Sequence, residues 1–328
     1  MRIFIEPLKK KLKQAPKGGG CTQMTQRSIN EHFFSFHNTI YILLFLLISC
    51  LPNKSSEEKK DFRYLTTTTL INDLIYELTQ DKNLSQSLMG IGVDPHLYTA
   101  QSRDLQLMRK AKTIFYHGHH LEGKLSDILA HSKLRTKSIA IQESIPAKDL
   151  MSYQGVIDPH LWFHPLLWIQ CAEKLLQKLI EDQPQKKTFY TKNFKNWEKK
   201  VIELSNKYKT KLHEIPKERR VLITSHDAFQ YLGKFFDLKV VAVQGISTDS
   251  QSSLHKISEI IDLINKNKIK SIFIESSVNS DAIKHISEHT SSTIGAELYS
   301  DSLGSPEKNT ETYLKTLEHN LKSIVGNL

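Results

Sequence analysis

Between Pro184 and Pro216 the chain places Tyr190, Phe194, Trp197, Val201, Leu204 and Tyr208 at steps of 4, 3, 4, 3 and 4. That is one apolar stripe at helical spacing with no Gly or Pro inside it, and it predicts a single amphipathic helix. At 1.5 Å per residue, about 25 residues of helix span roughly 35 Å or more. A helix of that length is either a coiled-coil arm or a rigid spine between two bodies, and its flanks favour the spine.

On both sides, strand-like and helix-like segments alternate. Before the stripe, "YLTTTT", "TIFYH" and "SIAIQ" are β-prone, "LINDLIYELT" has helical spacing, and residues 166–181 repeat Leu166, Ile169, Leu175, Leu176 and Leu179 as one buried helical face. After it come "RVLITSH", "LKVVAVQG" and "SIFIESS" as strands, with "LHKISEIIDLINKNK" and "DAIKHISEH" as helices. A final helix follows, built on Tyr313, Leu314, Leu317, Leu321 and Ile324. Strands separated by helical crossovers argue for parallel sheets. The expected fold is therefore α/β: two parallel-sheet lobes, residues 61–183 and 216–328, joined by a single linking helix over 184–215.

The first 60 residues have a different character. "TIYILLFLLISC", residues 39–50, is an apolar run too short for a transmembrane helix of about 20 residues, and it suits the core of a secretory signal. Its end, Leu47-Ile48-Ser49-Cys50, resembles the lipobox of bacterial lipoproteins, in which cleavage precedes a cysteine that then carries lipid. Residues 1–49 are thus expected to be a signal region, and 50–60 a polar tether behind a lipid-modified Cys50. Met24 begins a signal of normal length and is the expected true start. The other cysteines, Cys21 and Cys171, make no disulfide framework or C-x-x-C pair. Cys171, within "LLWIQCAEKLLQKLI", reads as a small buried side chain.

The formal charge is +10, but residues 1–49 carry seven bases and two acids, about half of that excess. The remaining lysines are scattered over helical faces with no aromatic interleaving. This describes a solvated, mildly basic surface, and no nucleic-acid partner is expected.

"DPHLWFHP" at 158–165 repeats the Asp-Pro-His-Leu-aromatic core of "GVDPHLY" at 92–98. Proline before each histidine keeps the preceding residue extended, which helps aim the side chain. His96, His160, His226 in "TSHDAF" and Asp301 in "ELYSDSLG" all fall where a strand gives way to a loop. In open α/β sheets that is where ligands bind. Three imidazoles and a carboxylate suit a first-row divalent cation, Zn, Mn or Fe(II), and the absence of thiolate disfavours Cu(I).

"GVDPHLY", "YHGHHLEGKL", "DPHLWFHP", "TSHDAFQYLG", "IFIESS" and "ELYSDSLG", in that order, resemble the motifs of the cluster A-I (TroA/ZnuA-like) metal-binding lipoproteins of ABC transporters. The resemblance covers about residues 61–328. It implies a metal buried in the cleft between the lobes, with His96 and His160 from the first lobe and His226 and Asp301 from the second. It further implies an exported, lipid-anchored solute-binding protein at the periplasm or cell surface, working with an ABC permease and its ATPase. A monomer that is not an enzyme is expected.

Some residues depart from the pattern. His164 stands where relatives often have an acid, and His117 and His119 replace what are commonly Asn and an apolar residue, whereas His120 matches a frequent family histidine. His117, His119 and His120 could form either a secondary, weaker metal site or a plain surface cluster. There is no long insertion rich in His and acids.

Two rival functions come from other classes. A secreted metal-dependent hydrolase would need an open coordination position and a general base, yet there is no H-E-x-x-H and no base at motif level. "TSHD" sets Ser, His and Asp side by side, which is not how a triad is built. A metal-stabilised adhesin would need its ion to fold, whereas a carrier should empty without unfolding.

Overall fold

The computed structural model describes residues 62–249 and 252–328. The signal region, Met24, Cys50 and the tether lie outside the described residues. No helix among the described residues is long and apolar enough to cross a membrane.

The protein is α/β with parallel sheets and one long helix. Before that helix, β1 (Tyr64–Thr66), β2 (Ser85–Ser87), β3 (Thr113–Tyr116) and β4 (Ser138–Ala140) form a four-stranded sheet in the order β2-β1-β3-β4. All its pairs are parallel, with Tyr64 opposite both Ser85 and Thr113. Around it run α1 (Thr69–Thr79), α2 (Ser102–Lys110), α3 (Lys124–Ala130) and the short α4 (Ser132–Arg135). In α1, Leu70, Ile71, Leu74, Ile75 and Leu78 are buried, and Gln80 ends the helix in a left-handed conformation that returns its N–H to the Tyr76 carbonyl. An antiparallel hairpin, β5 (Ser152–Tyr153) with β6 (Val156–Ile157), turns through Gln154 and Gly155, both at positive φ.

Helix α5 (Pro165–Asp182) opens with proline at its first position, where a missing N–H costs nothing. Its buried face holds Leu167, Trp168, Cys171, Ala172, Leu175 and Leu179. Leu166, expected on that face, is 47% exposed. It lies two residues before Trp168, about 200° away round the helix.

Helix α6 (Lys187–His213, 27 residues) is the long one, and at 1.5 Å per residue it measures about 40 Å. Tyr190, Phe194, Trp197, Val201 and Tyr208 are buried as the stripe requires, Leu204 is partly buried, and Ser205 and Leu212 extend the buried face. It packs against α1, α5 and the C-terminal helix α10 (Tyr313–Asn327).

Beyond it, β7 (Val221–Thr224) pairs in parallel with β8 (Lys239–Ala242), and β9 (Ser271–Ile272) with β10 (Thr293–Ile294). The Phe273 N–H donates to the Ile223 carbonyl at 2.9 Å and links the two pairs. Helices α7 (Gln230–Phe236), α8 (Leu254–Asn267) and α9 (Asp281–Glu288) complete this half. Each sheet has its own small apolar cluster: Leu65, Met89, Ile114 and Leu125 on one side, Ile223, Ile260, Ile272 and Ile283 on the other. The largest cluster belongs to both halves, running from Leu74 and Leu175 through the α6 stripe to Phe229, Leu321 and Ile324. The described residues accordingly fall within one compact unit.

Candidate metal centre

The four candidate ligands follow the carboxyl ends of the strands. His96 is in the loop after β2, His160 follows the β5–β6 hairpin, His226 stands two residues past β7, and Asp301 lies beyond the short parallel bridge between Glu275 and Leu298. The fold brings all four together, with one donor atom of each within 4.8 Å of the others. His160 Nε2 lies 3.3 Å from His96 Nε2, 3.4 Å from His226 Nε2 and 3.4 Å from Asp301 Oδ1. His226 Nε2 is 3.6 Å from Asp301 Oδ2. Donors held about 2.0–2.2 Å from one tetrahedral ion would stand about 3.3–3.6 Å apart.

Both Asp-Pro-His copies form the same local turn. The carboxylate of Asp94 accepts from the His96 N–H at 2.8 Å, and that of Asp158 from the His160 N–H at 3.0 Å. An aspartate that bonds the backbone two residues on fixes a turn without regular structure. Asp158 also takes the His160 Nδ1–H at 2.7 Å, which leaves Nε2 aimed into the centre. Asp94 instead reaches across to the Thr248 hydroxyl.

Glu275 serves His226 as Asp158 serves His160. Its Oε2 lies 2.6 Å from His226 Nδ1, and its Oε1 accepts from the His226 N–H at 2.8 Å. The hydroxyls of Ser277 and Ser300 hold Asp301 Oδ2 at 3.1 and 3.2 Å, while Asp301 Oδ1 has no hydrogen-bond partner and faces the imidazoles. Trp162 Nε1–H donates to the Ser300 carbonyl, tying the His160 turn to the segment that carries Asp301. Gly123 (φ +45°) lies under the His96 loop, where a Cβ would collide with the His96 carbonyl oxygen. Sequence reasoning missed Glu275, Ser277 and Ser300. The glutamate's place directly after a strand was the available signal.

Burial sets the electrostatics. His160, His226 and Asp301 are 0–1% exposed and His96 is 7% exposed. Burial pushes His160 down, but Asp158 and Asp301 more than offset it and raise the ring to about 9. Burial likewise opposes charge on His226, and the Glu275 and Asp301 carboxylates still raise it well above its ordinary value. Asp301, although burial favours its neutral form, is held well below the usual carboxylate range by the two facing imidazoles. Burial lowers His96 to about 3, only partly relieved by Asp301. Without a cation the surrounding carboxylates thus favour the protonated forms of His160 and His226.

Of the two readings of His117, His119 and His120, the described residues do not bring the three together as a ligand group. His117 is fully buried, with Nε2 2.8 Å from the Thr68 hydroxyl and Nδ1 2.8 Å from Gln142 Nε2. Its ring lies edge-on to Trp162 and stacked on Trp168, 4.8 and 5.8 Å between centroids. With both nitrogens engaged it is a core side chain. His119 and His120, at φ +50° and +61°, line a cavity of about 700 Å³ that reaches His96, together with Asp127 and Asp249. His164, half-buried, packs edge-on against Phe235 at 4.9 Å. Among the described residues, the other convergent group is exposed: His285, Glu288 and His289. Its H-x-x-E-H spacing is the signal that the sequence carries for it.

Comparison with known proteins places the chain in a family. Residues 65–327 match the model of the family described as "Zinc-uptake complex component A periplasmic". The chain is 34% identical over 289 residues to the manganese-binding lipoprotein MntA of Bacillus subtilis, covering 85% of this chain and 94% of that protein. It is 33% identical over 270 residues to the zinc-binding protein TroA of Treponema pallidum, covering 80% and 88% respectively. The solved structure of periplasmic TroA from Treponema pallidum aligns with a TM-score of 0.76 at 32% identity, over 81% of this chain and 98% of that one. A match that takes in both sheets, the long helix and every candidate ligand leaves one conclusion: the chain belongs to the ZnuA/TroA family of metal-binding substrate-binding proteins.

Proposed function

We propose that this protein is an exported, lipid-anchored solute-binding protein that captures one divalent transition cation and hands it to an ABC permease and its ATPase for import. His96, His160, His226 and Asp301 hold the cargo, and residues 61–183 and 216–328 act as the two lobes that contribute them. Cys50 carries the lipid. The relatives above are named for manganese and zinc. Iron rests on donor chemistry alone.

The observation that carries this reading is the spacing of the donors. Three imidazole Nε2 atoms and the two Asp301 oxygens make four contacts of 3.3–3.6 Å, and one donor atom of each residue lies within 4.8 Å of the others, a spacing that suits a single ion. Four protein ligands leave no coordination position for a reacting water, which favours a carrier over a hydrolase. Carboxylates on the far side of His160 and His226 set the rings before the cation arrives.

Titration of the metal-free protein with Zn and Mn separately, beside His160→Ala/His226→Ala, tests the assignment. One equivalent should bind tightly to the native chain, and that event should vanish in the double variant. A tight event that survives would place the cargo elsewhere. Stripping the ion should leave the folded signal in circular dichroism; unfolding on removal would instead favour a structural metal, as in an adhesin.

A further inference from the structure

Helix α9 carries a constellation that the cleft does not use. It turns Ile283 and Ile286 into the apolar cluster of Ile260, Ile264 and Ile272. Helical spacing then leaves His285, Glu288 and His289 on exposed surface. One donor atom from each lies within 4.8 Å of the other two. Residues four apart share one side of a helix, and H-x-x-E-H is a spacing by which helices take zinc.

Three further features prepare the site for a cation. The two imidazole centroids are 4.2 Å apart at a 45° tilt. His289 Nδ1 lies 2.8 Å from the His285 carbonyl oxygen and donates its proton there, which leaves the Nε2 lone pair free. His289 is also the residue that ends the helix, where unpaired carbonyls concentrate partial negative charge. The neighbouring Lys284 extends toward Asp281, 3.8 Å away and back toward the helix start.

We propose that His285, Glu288 and His289 form a second, surface binding site for a borderline divalent transition cation, with Zn as its principal ligand. The site does not depend on the cleft reading. A tetrahedral ion needs donors about 3.3–3.6 Å apart, and exposed side chains close the remaining gap by small rotamer changes. Water completes the coordination. Two imidazoles and one carboxylate suit Zn, Cu(II) and Ni(II), while Mn lies at the weak end of the affinity order. Unlike the cleft, the site is solvated and unsupported by buried carboxylates, so it binds more weakly.

Calorimetric titration of the metal-free full chain tests this with Zn and Mn as probes. Zn should give a tight event followed by a weaker second one, and Mn only the first. His285→Ala/His289→Ala should abolish the second Zn event and leave the first unchanged. His160→Ala/His226→Ala should do the reverse. A native chain without a second Zn event, or a second event that persists in His285→Ala/His289→Ala, overturns the surface site. Persistence of the tight event in His160→Ala/His226→Ala overturns the cleft reading instead.

Discussion

At the scale of single residues, the proposed centre would exchange protons for a cation. His160 and His226 are drawn to their charged forms by carboxylates on both sides, and His96 stays neutral. A cation must displace protons from these rings, so its affinity should rise as pH rises through the His160 value of about 9. The metal-free fold should show the opposite trend. His160 has a raised folded value, so its contribution to stability is complete below the ordinary histidine value of about 6.5 and is lost as pH rises through about 9. Melting curves at pH 6 and pH 9 check both signs, because the stabilisation conferred by Zn should be larger at pH 9. A gain that shrinks with pH would contradict the protonated resting centre. The repeated Asp-Pro-His is legible in sequence as a pair of aimed histidines, since proline and the aspartate before it constrain the backbone locally. Glu275 was not, because a buried carboxylate whose partners all belong to a distant histidine looks in sequence like any acid at a strand end.

Elements were legible in proportion to their length. The stripe of α6 repeats over more than six turns, and its buried residues follow the spacing of Tyr190 to Tyr208. The strands are two to four residues long, too short for periodicity to accumulate. Strand β2 reads Ser-Gln-Ser and exists through backbone pairing to β1. Trp197 belongs to this scale: it is 1% exposed, packed against Phe194 and Tyr313, and distant in role from the donors. Trp197→Ala should destabilise the metal-free protein by about 3–5 kcal/mol in denaturant unfolding, the usual cost of deleting a buried tryptophan. A change below about 1 kcal/mol would mean that the stripe is not part of the core.

For the whole molecule, the structure adds how the halves are joined. Two lobes on a spine are foreseeable from alternation and one long stripe. A core shared along that stripe is not, because it depends on α1, α5 and α10 meeting on one face of α6. The donors come from both sides of that helix and are tied by the bonds of Trp162 to Ser300 and of Asp94 to Thr248. The proposed donors therefore come from both halves, and parting the halves would separate His96 and His160 from His226 and Asp301. The most direct test of this account is X-ray absorption at the zinc edge on protein loaded with one equivalent of Zn. Three imidazole nitrogens and one carboxylate oxygen at about 2.0–2.2 Å are expected, with no further oxygen. Two imidazoles, or a coordinated water beside them, would contradict it.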